Sequence, residues 1–178
     1  NYTQSGTYSY SSGGSNNYSL DFDGIDDNVV IPELSAYENN QHTISLWFNT
    51  INLSAGDLFS KDGENFDRQW LLQIETQSPY RVQTHVWTTQ QLFSGFSNQI
   101  LNNNTWYNLT QVWDGDSLKL YINGFLDNYM LTNGSLVTGD QPLRIGGGSA
   151  AGLTLYSESN MDNVQIWDVA LSQQEIQQ

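Results

Sequence analysis

An all-β chain folded as a two-sheet antiparallel jelly-roll sandwich, with one short C-terminal helix, is the architecture this sequence predicts. Three observations carry it. Apolar and polar residues alternate with a period of two along most of the chain, the pattern of strands buried on one face. Asp-Gly and Asn-Gly pairs interrupt these runs at short intervals and favour the tight turns of antiparallel hairpins. Helical signals are confined to the stretch from Leu171 to Gln178. About a dozen short strands with almost no helix fit a sandwich of two sheets.

The elements follow in order. Residues 1–17 are Ser, Gly, Tyr and Asn with one Gln and one Thr pair and no charge. They read as a linker from a preceding module, or as a leading strand over Thr7–Ser11. The jelly-roll domain is expected over residues 18–178. Leu20 and Phe22 alternate with Asp21 and Asp23, and Ile44, Leu46 and Phe48 alternate with Thr43, Ser45 and Trp47. The runs Leu109–Trp113 and Leu118–Ile122 flank Asp114-Gly115 as the clearest hairpin. Leu143 and Ile145, then Met161–Trp167, close the series. Ser172 followed by Glu175 forms a capping box for the terminal helix.

Composition bounds the function. A chain of 178 residues is one domain's length, and 13% aromatics against only 38% hydrophobic residues predicts a core of a few large side chains. Five Lys and Arg against nineteen Asp and Glu give a net charge of -14. Such a chain repels phosphate, which argues against nucleic acid and anionic membrane surfaces as partners. No apolar run approaches the ~20 residues of a membrane span. With no cysteine there are no disulfides, thiolate metal sites or Cys nucleophile. The surface, rich in Asn, Gln, Ser and Thr, suits cations and hydroxyl-rich ligands.

Five ordered stretches, LDFDGIDDNVVIP, HTISLWFNT, NNTWYNLTQVWDGDSLKLYINGFL, PLRIGG and MDNVQIWDVALSQQEI, resemble laminin G-like domains of the concanavalin A-like lectin/glucanase superfamily, in the bacterial branch related to pentraxins. The resemblance covers residues 18–178. It implies a jelly roll with a structural calcium where the first and last strands meet, and a glycan, a protein or neither as ligand. The aromatic usual after Asp-Asp in the family is here Asn28.

Asp21, Asp23, Asp26 and Asp27 crowd into seven residues. Carboxylates so close repel one another unless a cation or solvent separates them, and calcium takes six to eight oxygen ligands. The residues alone leave a solvated turn and a metal loop as alternatives. The resemblance implies Ca2+ held by Asp23, Asp27 and Asp162, with carbonyls from Gly24 or Asn163. Such an ion is structural, a staple in place of a disulfide. The loop with Asp62, Glu64 and Asp67 reads as a solvated hairpin loop, with a second calcium site as the weaker alternative, and Asp114 and Asp116 as plain turn residues.

Period two places Arg81, Gln83, His85 and Trp87 on one face of one strand, with Trp70 and Tyr80 able to extend it. Guanidinium, amide, imidazole and one large ring suit sugar hydroxyls and C–H faces. His42 reads as a surface residue, and Trp47, Trp106, Trp113 and Trp167 as packing or scaffold. Hydrolases of the superfamily implied by the resemblance carry Glu-x-Asp-x-x-Glu on one strand, and no Glu-x-Asp occurs here. Glu75 alone cannot serve as both acid and base.

The expectation is therefore a non-catalytic, calcium-stabilised module of a larger secreted or cell-surface protein that recognises carbohydrate. The alternatives are an adhesion or protein-interaction module, and, weaker, a polysaccharide-degrading enzyme.

Overall fold

The computed structural model describes residues 3–5, 9–13, 17–32, 41–62, 68–139, 141–147 and 155–178. The period-two runs become strands β1 (Thr3–Ser5), β2 (Ser9–Gly13), β3 (Asn17–Asp23), β4 (Asn28–Ile31), β5 (His42–Asn49), β6 (Gly56–Asp62) and β7 (Arg68–Ile74). Then follow β8 (Val82–Trp87), β9 (Leu92–Phe96), β10 (Tyr107–Trp113), β11 (Ser117–Ile122), β12 (Phe125–Leu131), β13 (Leu143–Ile145) and β14 (Glu158–Trp167). Helix α1 (Gln173–Ile176) comes last.

These strands form the two-sheet antiparallel sandwich that the alternation predicts. One sheet runs β1-β4-β13-β6-β7-β8-β9 and the other β12-β11-β10-β5-β14-β3-β2. The chain changes sheet after β1, β3, β4, β5, β9, β12 and β13, and the last strand β14 lies between β5 and β3. In the leading segment β1 pairs with β4 and β2 with β3, each adding an edge strand to an otherwise six-stranded sheet. The expected single strand at Thr7–Ser11 thus becomes two, with residues 7 and 8 outside the described residues.

Side chains on the inner faces make one core. Ile44, Leu46 and Phe48 of β5 share their parity with Leu109 and Tyr107 of β10 and with Met161 of β14, and all six are buried. Phe59, Leu72, Ile74, Val82 and Val86 answer from the facing sheet. Each such burial stabilises by about 1.5–3 kcal/mol. The Asp114-Gly115 hairpin forms as expected: Gly115 takes φ 95°, and Asp114 Oδ1 accepts from the N–H groups of Asp116 at 3.0 Å and Ser117 at 2.6 Å. The capping box is present too.

His42 differs from its expected surface place. It has the parity of Ile44, so its ring enters the core and stacks on Trp70 at 4.7 Å between centroids, with Phe59 on Trp70 at 5.3 Å. Neither of its ring nitrogens has a hydrogen-bond partner among the described residues. Of the tryptophans read as scaffold, Trp113 is buried, whereas Trp106 is exposed. Among the described residues no helix is long and apolar enough to cross a membrane.

Burial drives the His42 imidazole from its usual 6.5 down to about 3. Between those values the unfolded chain binds a proton that the folded chain refuses. The His42 contribution is therefore complete above pH 6.5 and is lost as pH falls towards 3, by at most about 1.4 kcal/mol per pH unit. Urea unfolding from pH 7 to pH 4 checks this: His42→Phe is expected to lose stability less steeply than the wild type, and equal slopes would contradict it.

Candidate functional site

Three places drew attention in the sequence or stand out in the fold. The first is the acidic loop after β3. Gly24 takes φ +77°, and a Cβ there would lie 3.0 Å from the Glu158 Cβ, so glycine is required on both counts. The turn folds back so that Asp23 N–H donates to Asp27 Oδ2 at 3.1 Å, and Ile25 N–H donates to Asp23 Oδ1 at 2.8 Å. Asp23, Asp26 and Asp27 bring one carboxylate oxygen each within 4.8 Å of one another, with Asp27 buried and the other two exposed. Such an all-oxygen set suits a hard cation.

Asp162 and Asn163 are not part of that group. Asp23 lies opposite Glu158 in the β3–β14 ladder, so Asp162 is four residues further along β14, about 13 Å away at the rise of a strand. Asp162 Oδ1 instead accepts from Asn163 N–H at 2.7 Å. Asp21 is likewise elsewhere, accepting from Asn160 Nδ2 at 3.0 Å. Asp26 takes the place beside Asp23 and Asp27 that the last strand was expected to fill. Glu64 and Asp67 lie outside the described residues.

The second place is β8. Val82, Thr84 and Val86 point into the sandwich, and Gln83, His85 and Trp87 point out, as the alternation requires. This face offers less than its residue types promise. Gln83 Oε1 accepts from Gln73 Nε2, its Nε2 donates to Ser94 Oγ at 3.0 Å, and His85 is buried. The segment after β12 runs along the same strand, with Val137 N–H donating to the Trp87 carbonyl at 3.0 Å. Trp70 is absent from the face because it pairs with Val86, not with His85, and so points inward. Tyr80 packs against the core, and Arg81 is half-buried just before β8.

The third place is a groove of about 720 Å³ on the outer face of the other sheet. Its floor is the outward set on β5, β10 and β14: Ser45 and Trp47, Asn108 and Thr110, Gln165 and Trp167. Within the floor, Asn108 Nδ2 and Thr110 Oγ1 both donate to Ser45 Oγ, at 3.2 and 2.9 Å. The Asn123-Gly124 turn, with φ of 53° and 78°, lifts Phe125 along one side. A bulge between Asp162 and Gln165, where Asn163 has φ 49°, brings Asn163 in from the other.

Helix α1 walls the groove. Thr43 Oγ1 donates to the Val169 carbonyl at 2.8 Å and accepts from Leu171 N–H at 2.9 Å, and Gln177 Nε2 donates to the Gly124 carbonyl at 2.8 Å. The Ser172 backbone N–H and hydroxyl both donate to Glu175 and hold its carboxyl below the usual carboxylate range. Glu175 is the one charged side chain among the lining residues. A single carboxylate cannot supply the acid and base of glycoside hydrolysis.

Trp47 and Trp167, read as scaffold, are thus the rings of this groove. The signal was in the sequence: Trp47 has the parity of Thr43 and Ser45, and Trp167 that of Gln165, so each is a large ring on the polar side of its strand. Phe125, two-thirds exposed beside a tight turn, carried no comparable signal.

Comparison with known proteins places the architecture. The family model for laminin G domains of the third type, described as concanavalin A-like lectin/glucanases superfamily, matches residues 22–177. No curated protein sequence matches the chain. Among solved structures, domain 4 of AbnA, a GH43 extracellular arabinanase from Geobacillus stearothermophilus in complex with arabinotriose, is similar with a TM-score of 0.73 at 16% identity, over 99% of this chain and 85% of that one. The heptameric SAP-like pentraxin of Limulus polyphemus gives 0.68 at 17%, over 89% and 79%. The binding domain of Paraclostridial Mosquitocidal Protein 1 gives 0.79 at 12%, over 99% of this chain but 46% of its own. At these identities the likeness is one of fold.

Proposed function

The chain belongs to the laminin G domains of the concanavalin A-like lectin/glucanases superfamily, and from that premise we propose that it is a non-catalytic carbohydrate-binding module whose site is the groove between Trp47, Trp167 and α1. The observation that carries this is the lining itself. Concave sites of 300–1,000 Å³ with an apolar part and a few convergent polar groups are typical for small ligands. This groove combines three aromatic rings with Asn, Gln, Ser and Thr side chains. Rings take the C–H faces of sugars, and amides take their hydroxyls. The neighbours support the class, since the arabinanase domain was solved with arabinotriose bound.

The face carrying Arg81, Gln83, His85 and Trp87 is the second candidate for the same function, and its own hydrogen bonds make it the weaker one. A different reading, a protein-interaction module, has one observation in its favour: the edge strand β12 leaves Phe125, Leu126, Tyr129 and Leu131 exposed. In either reading the chain acts as one module of a larger secreted or cell-surface protein.

The acidic loop supports a structural calcium at Asp23, Asp26 and Asp27, with backbone carbonyls such as that of Gly24 and water completing the shell. Its role is to hold the turn that leads from β3 into β4, and so to tie the two sheets together at that corner.

Two measurements test these readings. Affinity electrophoresis through soluble polysaccharides is expected to show retardation by at least one polymer, lost in Trp47→Ala and in Trp167→Ala and kept in Trp87→Ala. Loss only in Trp87→Ala would move the site to β8, and binding to protein partners alone would favour the adhesion reading. Thermal unfolding with calcium at 100 times its dissociation constant is expected to gain about 2.7 kcal/mol of stability. The gain disappears with EDTA and in Asp27→Ala, and persists in Asp162→Ala; loss in Asp162→Ala would restore the first-to-last-strand staple.

A further inference from the structure

We infer that the groove selects an uncharged glycan chain and rejects acidic polysaccharides; this rests on the groove reading above and adds the chemical class of the ligand. Internal hydrogen bonds use up part of the amide donors and acceptors that line the groove. Asn123 Oδ1 accepts from Asn108 N–H at 2.9 Å, Asn163 Oδ1 from Gln165 Nε2 at 2.7 Å, and Gln177 Nε2 donates to the Gly124 carbonyl. The side-chain amides of Asn123, Asn163, Gln165 and Gln177 are then left with four atoms that have no hydrogen bond among the described residues. Asn123 Nδ2 and Asn163 Nδ2 donate only, and Gln165 Oε1 and Gln177 Oε1 accept only.

That balance matches hydroxyl groups. Each sugar hydroxyl has one hydrogen to give and lone pairs to receive, so a neutral chain can satisfy the acceptors and the donors together. A carboxylate or sulfate has no hydrogen to give. Placed here it gives Gln165 Oε1 and Gln177 Oε1 no donor and leaves them to water. It also meets the ionised Glu175, with no Lys, Arg or His among the lining residues to offset it. The net charge of -14 adds repulsion before contact.

The spacing of the two tryptophan positions along the sheet adds that the ligand is a chain, not a single sugar. Trp47 lies opposite Asp162 on β14, and Trp167 lies opposite Thr43 on β5. Thr43 and Trp47 are four residues apart on one strand, so the two tryptophan backbones are separated by about 13 Å along it. A ligand that touches both rings is longer than one sugar ring.

The test is affinity electrophoresis in 0.15 M salt with neutral glucan, mannan, xylan and arabinan, each beside its carboxymethylated derivative. A free hexose serves as competitor. The expected result is retardation by at least one neutral polymer, about tenfold weaker with its carboxymethylated form, and not relieved by the hexose. Gln165→Lys, which replaces an acceptor by a cation, is expected to narrow that tenfold preference. Equal or stronger Trp47-dependent retardation by the carboxymethylated polymer would overturn the charge inference while leaving the groove reading intact. No retardation by any polymer, or retardation unchanged in Trp47→Ala, would overturn the groove reading and this inference with it.

Discussion

Strand β5 is hydrogen-bonded along both edges, to β10 on one side and β14 on the other, and this double pairing is the constraint on which the rest depends. In a pleated strand so fixed, parity has no freedom. Ile44, Leu46 and Phe48 must fill the sandwich, and Thr43, Ser45 and Trp47 must face away from it. The inner set is the centre of the core. The outer set holds the helix through Thr43 and floors the groove through Ser45 and Trp47. A slip of one residue would exchange core and site.

The same parity explains how much the sequence discloses. The alternating runs, the Asp114-Gly115 hairpin and the Ser172–Glu175 capping box are local, so each is legible from neighbouring residues. Partners across sheets are not. His42 looks like a polar strand start, and only its phase with Ile44 places it in the core. Trp70 sits on β7 beside β8, and its pairing with Val86 instead of His85, which no local cue reveals, turns it inward. The acidic triad was half legible: the turn joins Asp23 to Asp27, whereas the distance to Asp162 depends on the β3–β14 register. The groove was missed because three strands, a turn and a helix contribute to it, although the outward phase of Trp47 and Trp167 was readable.

Charge distribution and the proposed groove point to the same kind of ligand. The chain has five Lys and Arg residues in all. Lys119 is paired with Asp114 at 2.6 Å, and Lys61 is buried, donating to the Gly139 carbonyl at 2.7 Å. None of the five lines the groove. In the proposed site aromatic rings and amides would supply recognition instead, on a sheet that requires little ordering on binding. The acidic loop lies along the ladder from β14 to β3, away from this floor, so the proposed metal and the proposed glycan would contribute separately, one to the frame and one to recognition.

The central claim is that a glycan sits on the outer face of β5, β10 and β14 against α1. Chemical-shift mapping by NMR, with the neutral oligosaccharide derived from whichever polymer binds, tests it most directly. The account predicts that the indole N–H signals of Trp47 and Trp167 and the side-chain amides of Asn123, Asn163 and Gln165 move together with one saturation curve. Shifts centred on Gln83, His85 and Trp87, with the Trp47 and Trp167 signals unmoved, would contradict it.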